Sequence, residues 1–105
     1  MNKYHAQKME VDGVVFHSRK EGRRYIELKL CKHAKGNDKI IELELQPKFP
    51  CVVNGKKICT YIADFKIHYA DGRVVVEDVK GALTPVYKLK KKLVEALYGI
   101  EIIET

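Results

Sequence analysis

The sequence predicts an α/β fold: a mixed central sheet flanked by helices, with a hairpin at the N-terminal end. Three observations carry this expectation. Apolar and polar residues alternate from Ile41 onward, the period-two signature of a half-buried strand. Val86, Leu89, Leu93 and Leu97 form an apolar stripe at helical spacing. Strand and helix signals alternate at short intervals, without repeats, low-complexity stretches or a linker. The 105 residues are the size of one domain, and a 46% hydrophobic content suffices for its core.

Residues 8–17 read as a hairpin turning at Asp12-Gly13. Ser18 reads as a helix N-cap, and Glu21 three positions later completes a capping-box pattern. The helix is expected from Arg19 to about His33, with Tyr25, Ile26, Leu28, Leu30 and Cys31 as its apolar surface. Gly36-Asn37-Asp38 ends the segment. In the first core strand Ile41, Leu43 and Leu45 point one way, and Glu42, Glu44 and Gln46 the other. Pro47 and Pro50 close it off, and Asn54-Gly55 marks a turn.

Residues 58–69 are expected to form the second core strand and Arg73 to Val79 the third, joined at Asp71-Gly72. Gly81 ends the third strand. Thr84 caps a second helix, with Pro85 at its first position, where a missing N–H costs nothing. Gly99 stops that helix. Ile100 to Glu104 is a short last strand, reached by a helical crossover, hence parallel to its neighbour and placed inside the sheet. The core order is helix-strand-strand-strand-helix-strand.

Twenty Lys and Arg stand against fourteen Asp and Glu, a formal net charge of +6. A small basic globule suggests an anionic partner, most often nucleic acid. No run approaches the eighteen or so apolar residues of a membrane span, and the polar stretch from Met1 to Glu10 is not a signal peptide. Cys31, Cys51 and Cys59 are odd in number and lack a C-x-x-C pair, which gives little support to a disulfide framework or a four-ligand zinc site. They read as buried or idle thiols in a reducing compartment.

The chemistry concentrates at the end of the third strand, Val-Val-Val-Glu-Asp-Val-Lys-Gly. Asp78 and Lys80 share a face there, and Glu77 should point away as a surface residue. Asp64 lies among apolar neighbours on the preceding strand, a costly place for an unpartnered charge. The turn decides whether the acids meet. A two-residue loop would put Asp64 opposite Val79. A three-residue loop, Ala70-Asp71-Gly72, is a type I turn with a G1 bulge, which wants glycine at its last position. It pairs Tyr69 with Arg73, sets Asp64 opposite Asp78, and gathers Phe65, Ile67, Val75 and Val79 on the other face. The three-residue loop is preferred.

Like charges directly opposite are destabilising, so a site that concentrates them usually holds a cation. Two carboxylates and a backbone carbonyl, joined by Glu21, make a hard oxygen site suited to Mg²⁺ or Mn²⁺. Metal-activated water attacking a phosphodiester is the matching chemistry, with Lys80 orienting the water or stabilising developing charge. Each residue also has a plainer role. Glu21 can be only a capping acid, Asp78 and Lys80 a solvated strand-end pair, and the second-helix lysines a wet face.

The joint order of Glu21, Asp64 and Asp78-Val79-Lys80 resembles the PD-(D/E)XK nuclease superfamily, with Ala63 where the motif name has proline. Tyr4-His5-Ala6, Glu10 to Gly13, Ser18 to Tyr25, Leu43 to Phe49, Tyr61 to Phe65 and Glu77 to Gly81 resemble small phage-encoded proteins of that superfamily, often described as Holliday-junction resolvases or related endonucleases. The resemblance implies a restriction-endonuclease-like core and a metal-dependent endonuclease. On it Asp64, Asp78, the Val79 carbonyl and Glu21 hold Mg²⁺ or Mn²⁺, Lys80 positions or activates the attacking water, and Gln46 lines the edge.

The expected substrate is DNA, above all a branched four-way junction, cut by a homodimer because a junction has two-fold character. Another DNA structure, or a non-catalytic basic DNA-binding module, are the alternatives. Phosphate contacts are expected from two groups: Arg19, Lys20, Arg23 and Arg24 on the first helix, and Lys88, Lys90, Lys91 and Lys92 on the second. The resemblance places the protein in the cytoplasm of a bacterial host cell, encoded by a phage or prophage.

Overall fold

The computed structural model describes residues 7–79 and 83–105. The chain opens with a hairpin, β1 (Met9–Val11) and β2 (Val14–Phe16), turning at Asp12-Gly13. Helix α1 (Arg19–Leu30) follows and runs into a short 3₁₀ turn over Cys31–His33. Ser18 caps α1 by accepting the Glu21 backbone N–H at 3.1 Å. The hairpin packs on the chain's own core. Phe16 is buried against Phe65 and Tyr25, and Met9 covers Gly22, where even a Cβ would meet its sulfur at 2.7 Å.

Six strands and a second helix make up the rest: β3 (Ile40–Leu45), β4 (Lys48–Val53), β5 (Lys56–Ile62), β6 (Phe65–Tyr69), β7 (Val74–Asp78), α2 (Pro85–Tyr98) and β8 (Ile102–Glu104). Among the described residues the main sheet has the order β3-β6-β7-β8, and β4 with β5 forms a separate hairpin. β3, β6 and β7 run antiparallel, and β8 is parallel to β7 after the α2 crossover. The parallel direction is as expected, but β8 forms the sheet's edge rather than an inner strand. At three residues, it stays short where an unpaired edge is a liability.

The expected strand over 58–69 is two strands in two sheets. β5 pairs with β4, the chain breaks at Ala63-Asp64, and β6 then pairs with β3 and β7. Backbone bonds at the break hold both sides. Ala63 N donates to Pro47 O, Asp64 N to Glu77 O, and Gln46 N to Asp64 O. A second departure lies in β3, where the register shifts between Ile40 and Glu42. This bulge sets Ile40 in the core and leaves Ile41 64% exposed, against the expected inward row of Ile41, Leu43 and Leu45.

Two apolar clusters sandwich the main sheet. On one face Phe65, Ile67 and Val79 meet Phe16, Leu28 and Ile40. On the other Val76 and Ile102 meet Val94 of α2 and Phe49, Cys51 and Tyr61 of the β4–β5 hairpin. Ile26 and Leu30, expected in the α1 apolar surface, are exposed. Helix α2 is also turned from the expected stripe: Val94 is fully buried, while Val86, Leu89 and Leu97 are exposed. Leu93 of the expected stripe does pack on the core, beside Tyr87 and Val94. Tyr98 donates to Pro50 O at 2.7 Å and Tyr87 to Glu104 Oε2 at 2.9 Å.

Candidate active site

The β6–β7 turn brings the acids together. Tyr69 N donates to Arg73 O and Gly72 N to Tyr69 O, which closes the three-residue loop over Ala70-Asp71-Gly72. Gly72 has φ +92°, a left-handed backbone that favours glycine, and Asp71 steadies the loop by accepting the Arg73 N–H at 3.0 Å. Phe65 then pairs with Glu77 and Ile67 with Val75. One step further along this register, Asp64 falls opposite Asp78.

The two carboxylates have different surroundings. Asp64 Oδ2 accepts the Val79 backbone N–H at 2.7 Å. Burial, first, and then the neighbouring Asp78 carboxylate push the Asp64 pKa up to about 8, although the Val79 N–H pulls the other way. Glu21, in the first turn of α1, adds a smaller electrostatic push on Asp64. Asp78 Oδ2 accepts the hydroxyl of Tyr61, whose own pKa is driven well up by burial and by Asp78.

Two grooves meet this end of the sheet. On the α1 side a cleft of about 340 Å³ is lined by Lys20, Arg23, Arg24, Glu27, Val79 and Thr105. On the α2 side a groove of about 350 Å³ is lined by Thr60, Tyr61, Ile62, Thr84, Val86, Tyr87 and Lys90. The first groove holds Lys20, Arg23 and Arg24 beside Val79, and the second holds Lys90 beside Tyr61. Arg19, Arg23, Lys88 and Lys92 are exposed, and Lys91 pairs with Glu95 at 3.6 Å. Lys20 donates to the Thr105 carbonyl at 3.0 Å.

Arg24 is engaged elsewhere. Its Nε and Nη2 donate to the two carboxylate oxygens of Glu77, both at 2.7 Å, and its Nη1 to Glu27 at 3.0 Å. Glu77 does point away from Asp78, but it is 2% exposed rather than a surface residue. Its face is the apolar one that packs under α1, so its charge requires the bidentate partner that Arg24 supplies.

Gln46 sits beside Asp64 through its backbone bond and has φ +51°, which takes it out of the strand alternation that placed its side chain. Lys80 lies outside the described residues. Among the described residues, no three or more His, Cys, Asp and Glu side chains are grouped to hold a metal, so Glu21 does not close a three-acid cluster with the aspartates. The donor set still suits a hard divalent ion. Mg²⁺ is commonly held by one or two carboxylates and completed by water and phosphate oxygens.

Sequence reasoning missed Tyr61 and Glu77. Tyr61 had a legible signal, since its parity puts it on the face of Cys59 and Ala63, towards the core. A buried phenol needs a polar partner, and Asp78 is the one it finds.

The whole chain fits one family description. Residues 1–102 match the model "Protein of unknown function (DUF1064)". The chain belongs to the DUF1064 family. Neither curated proteins nor solved structures give a match. Among the described residues, no helix of this DUF1064 protein is long and apolar enough to cross a membrane.

Proposed function

We propose that this DUF1064 protein is a Mg²⁺- or Mn²⁺-dependent endodeoxyribonuclease with a restriction-endonuclease-like core, cutting branched DNA as a homodimer. The observation that carries the reading is the acid pair. Asp64 and Asp78 meet at the end of a mixed sheet, under enough mutual repulsion and burial to raise Asp64 to about 8. The order of helices and strands supports it, with α1 on one face of the sheet and α2 on the other.

Asp64 and Asp78 would hold the ion, with the Val79 carbonyl as a further oxygen donor and Glu21 adding negative charge nearby. A divalent ion bound there supplies Lewis-acid activation of a water and of the phosphate. The chain's own side chains do the rest. Lys20 and Arg23 receive the DNA backbone in the α1 cleft, and Lys90 approaches from the α2 groove. Lys80 would position or activate the attacking water, as the resemblance implies.

The decisive assay is cleavage of a synthetic four-way junction. Wild-type protein is expected to cut it only with Mg²⁺ or Mn²⁺, and Asp78→Ala to leave it intact. Equal cutting of linear duplex would move the substrate to another DNA structure. No cleavage with either metal, combined with tight salt-sensitive binding, would make the protein a binding module. Light scattering on the junction complex tests for two copies.

The basic wall has its own expected result. Arg23→Ala should weaken DNA binding about equally for all sequences and lower the salt slope by about 1. An unchanged slope in a fluorescence-anisotropy titration would remove Arg23 from the interface.

A further inference from the structure

Each aspartate of the pair has one carboxylate oxygen already committed within the protein. Asp64 Oδ2 takes the Val79 N–H, and Asp78 Oδ2 takes the Tyr61 hydroxyl. The Val79 donor is backbone, so only proline at that position would remove it. The Tyr61 donor is a side chain, and it is built in. Tyr61 is 4% exposed, it pairs with Phe49 across the β4–β5 hairpin, and its ring lies 6.3 Å from that of Tyr87. Tyr87 is in turn tied to Glu104 of β8.

Resting on the nuclease reading above, we infer that Tyr61 is a positioning residue that restricts Asp78 to a single free oxygen towards the metal. A carboxylate with both oxygens free can chelate a large ion. With one oxygen accepting from a phenol, that oxygen keeps a single lone pair and the carboxylate a fixed orientation, which disfavours two-oxygen chelation. Mg²⁺ and Mn²⁺ take single oxygens and keep their waters, whereas Ca²⁺ accepts bidentate carboxylates and a larger, looser set of ligands. Tyr61 therefore biases the pair towards the smaller ions and fixes the rotamer in which Asp78 meets them, as partners behind metal ligands generally do.

Tyr61→Phe removes one oxygen atom from a buried position and keeps the ring. Calorimetric titration of the metal-free protein with Mn²⁺ and, separately, with Ca²⁺ reads the effect without any DNA. Tyr61→Phe should bind Mn²⁺ about tenfold more weakly and Ca²⁺ no more weakly than wild type, so the preference for Mn²⁺ falls about tenfold. Equal affinities in wild type and variant, or an equal loss for both ions, overturns the inference while leaving the nuclease reading intact. A wild-type protein that binds neither ion overturns both.

A second measurement needs no variant. In the assigned NMR spectrum of the wild type, saturating Mg²⁺ should shift the Tyr61 ring Cζ resonance and leave that of Tyr25, whose hydroxyl meets Asp12 instead. A Tyr61 signal that stays still while the Asp64 carboxyl signal moves also overturns the inference.

Discussion

Asp64→Asn should give a protein that is more stable than the wild type in metal-free buffer at pH 9 and has lost DNA cleavage. The sign follows from the raised pKa of Asp64, about 8 when folded against an ordinary value of 3.8. Between those values the folded chain holds a proton that the unfolded chain has released. The stabilisation from this group is complete below about pH 4, declines as pH rises, and is gone above about 8. At pH 9 the folded state carries the Asp64 carboxylate at full cost.

Asparagine removes that charge and keeps an oxygen for the Val79 N–H. Allowing for solvent screening of the partly exposed side chain, the gain at pH 9 is on the order of 2 kcal/mol, or about 10 °C in Tm. Thermal melts from pH 4 to pH 9 check it: the wild type should lose stability across that range relative to Asp64→Asn. Saturating Mg²⁺ should narrow the gap, because the ion favours the ionised pair. Cleavage of the junction should fall by about a thousandfold or more, a barrier change of about 4 kcal/mol. Stability and activity would then oppose one another at one residue. A variant no more stable than wild type at pH 9 would show that the pair is not strained without metal.

The second large effect belongs to the ion pair on the opposite face. Arg24→Ala leaves Glu77, whose side chain is 3% exposed, as an uncompensated carboxylate beneath α1. Breaking such a pair from one side costs about 3–5 kcal/mol, which is roughly 15–25 °C in Tm for a domain of this size. Arg24→Met combined with Glu77→Leu should recover most of the loss, since apolar residues of similar volume often replace a buried pair at little cost. Chemical denaturation of the single and double variants separates these outcomes. If Arg24→Ala weakened DNA binding without lowering stability, the arginine would belong to the DNA interface and not to the core.

The sequence was most legible where local chemistry dictates geometry. Asp12-Gly13 and Asn54-Gly55 mark turns that the structure closes, Ser18 and Thr84 cap their helices, and the glycine of Ala70-Asp71-Gly72 sets the register that joins Asp64 to Asp78. It was least legible where tertiary partners override a local pattern. Residues 58–69 read as one strand because nothing in Tyr61-Ile62-Ala63-Asp64 signals that the chain changes sheets. β4 was missed because Pro50 argues against a strand, yet β4 belongs to a two-stranded hairpin, where edge positions tolerate proline. The α2 stripe followed helical spacing, but Val94 and Tyr87 join Leu93 in the face that packs on the core. Glu77 was placed outward because no rule of alternation shows that an arginine waits across the layer.

Glu77 and Asp78 are consecutive residues, and the pleat of β7 sends them to opposite faces. One grips the helix that carries Lys20 and Arg23, and the next meets Asp64. A single peptide unit thereby works as a ruler between the helix that would receive DNA phosphates and the acids that would hold the metal. On the nuclease reading, the position of the basic residues of α1 is coupled to that of the acids through one short stretch of β7.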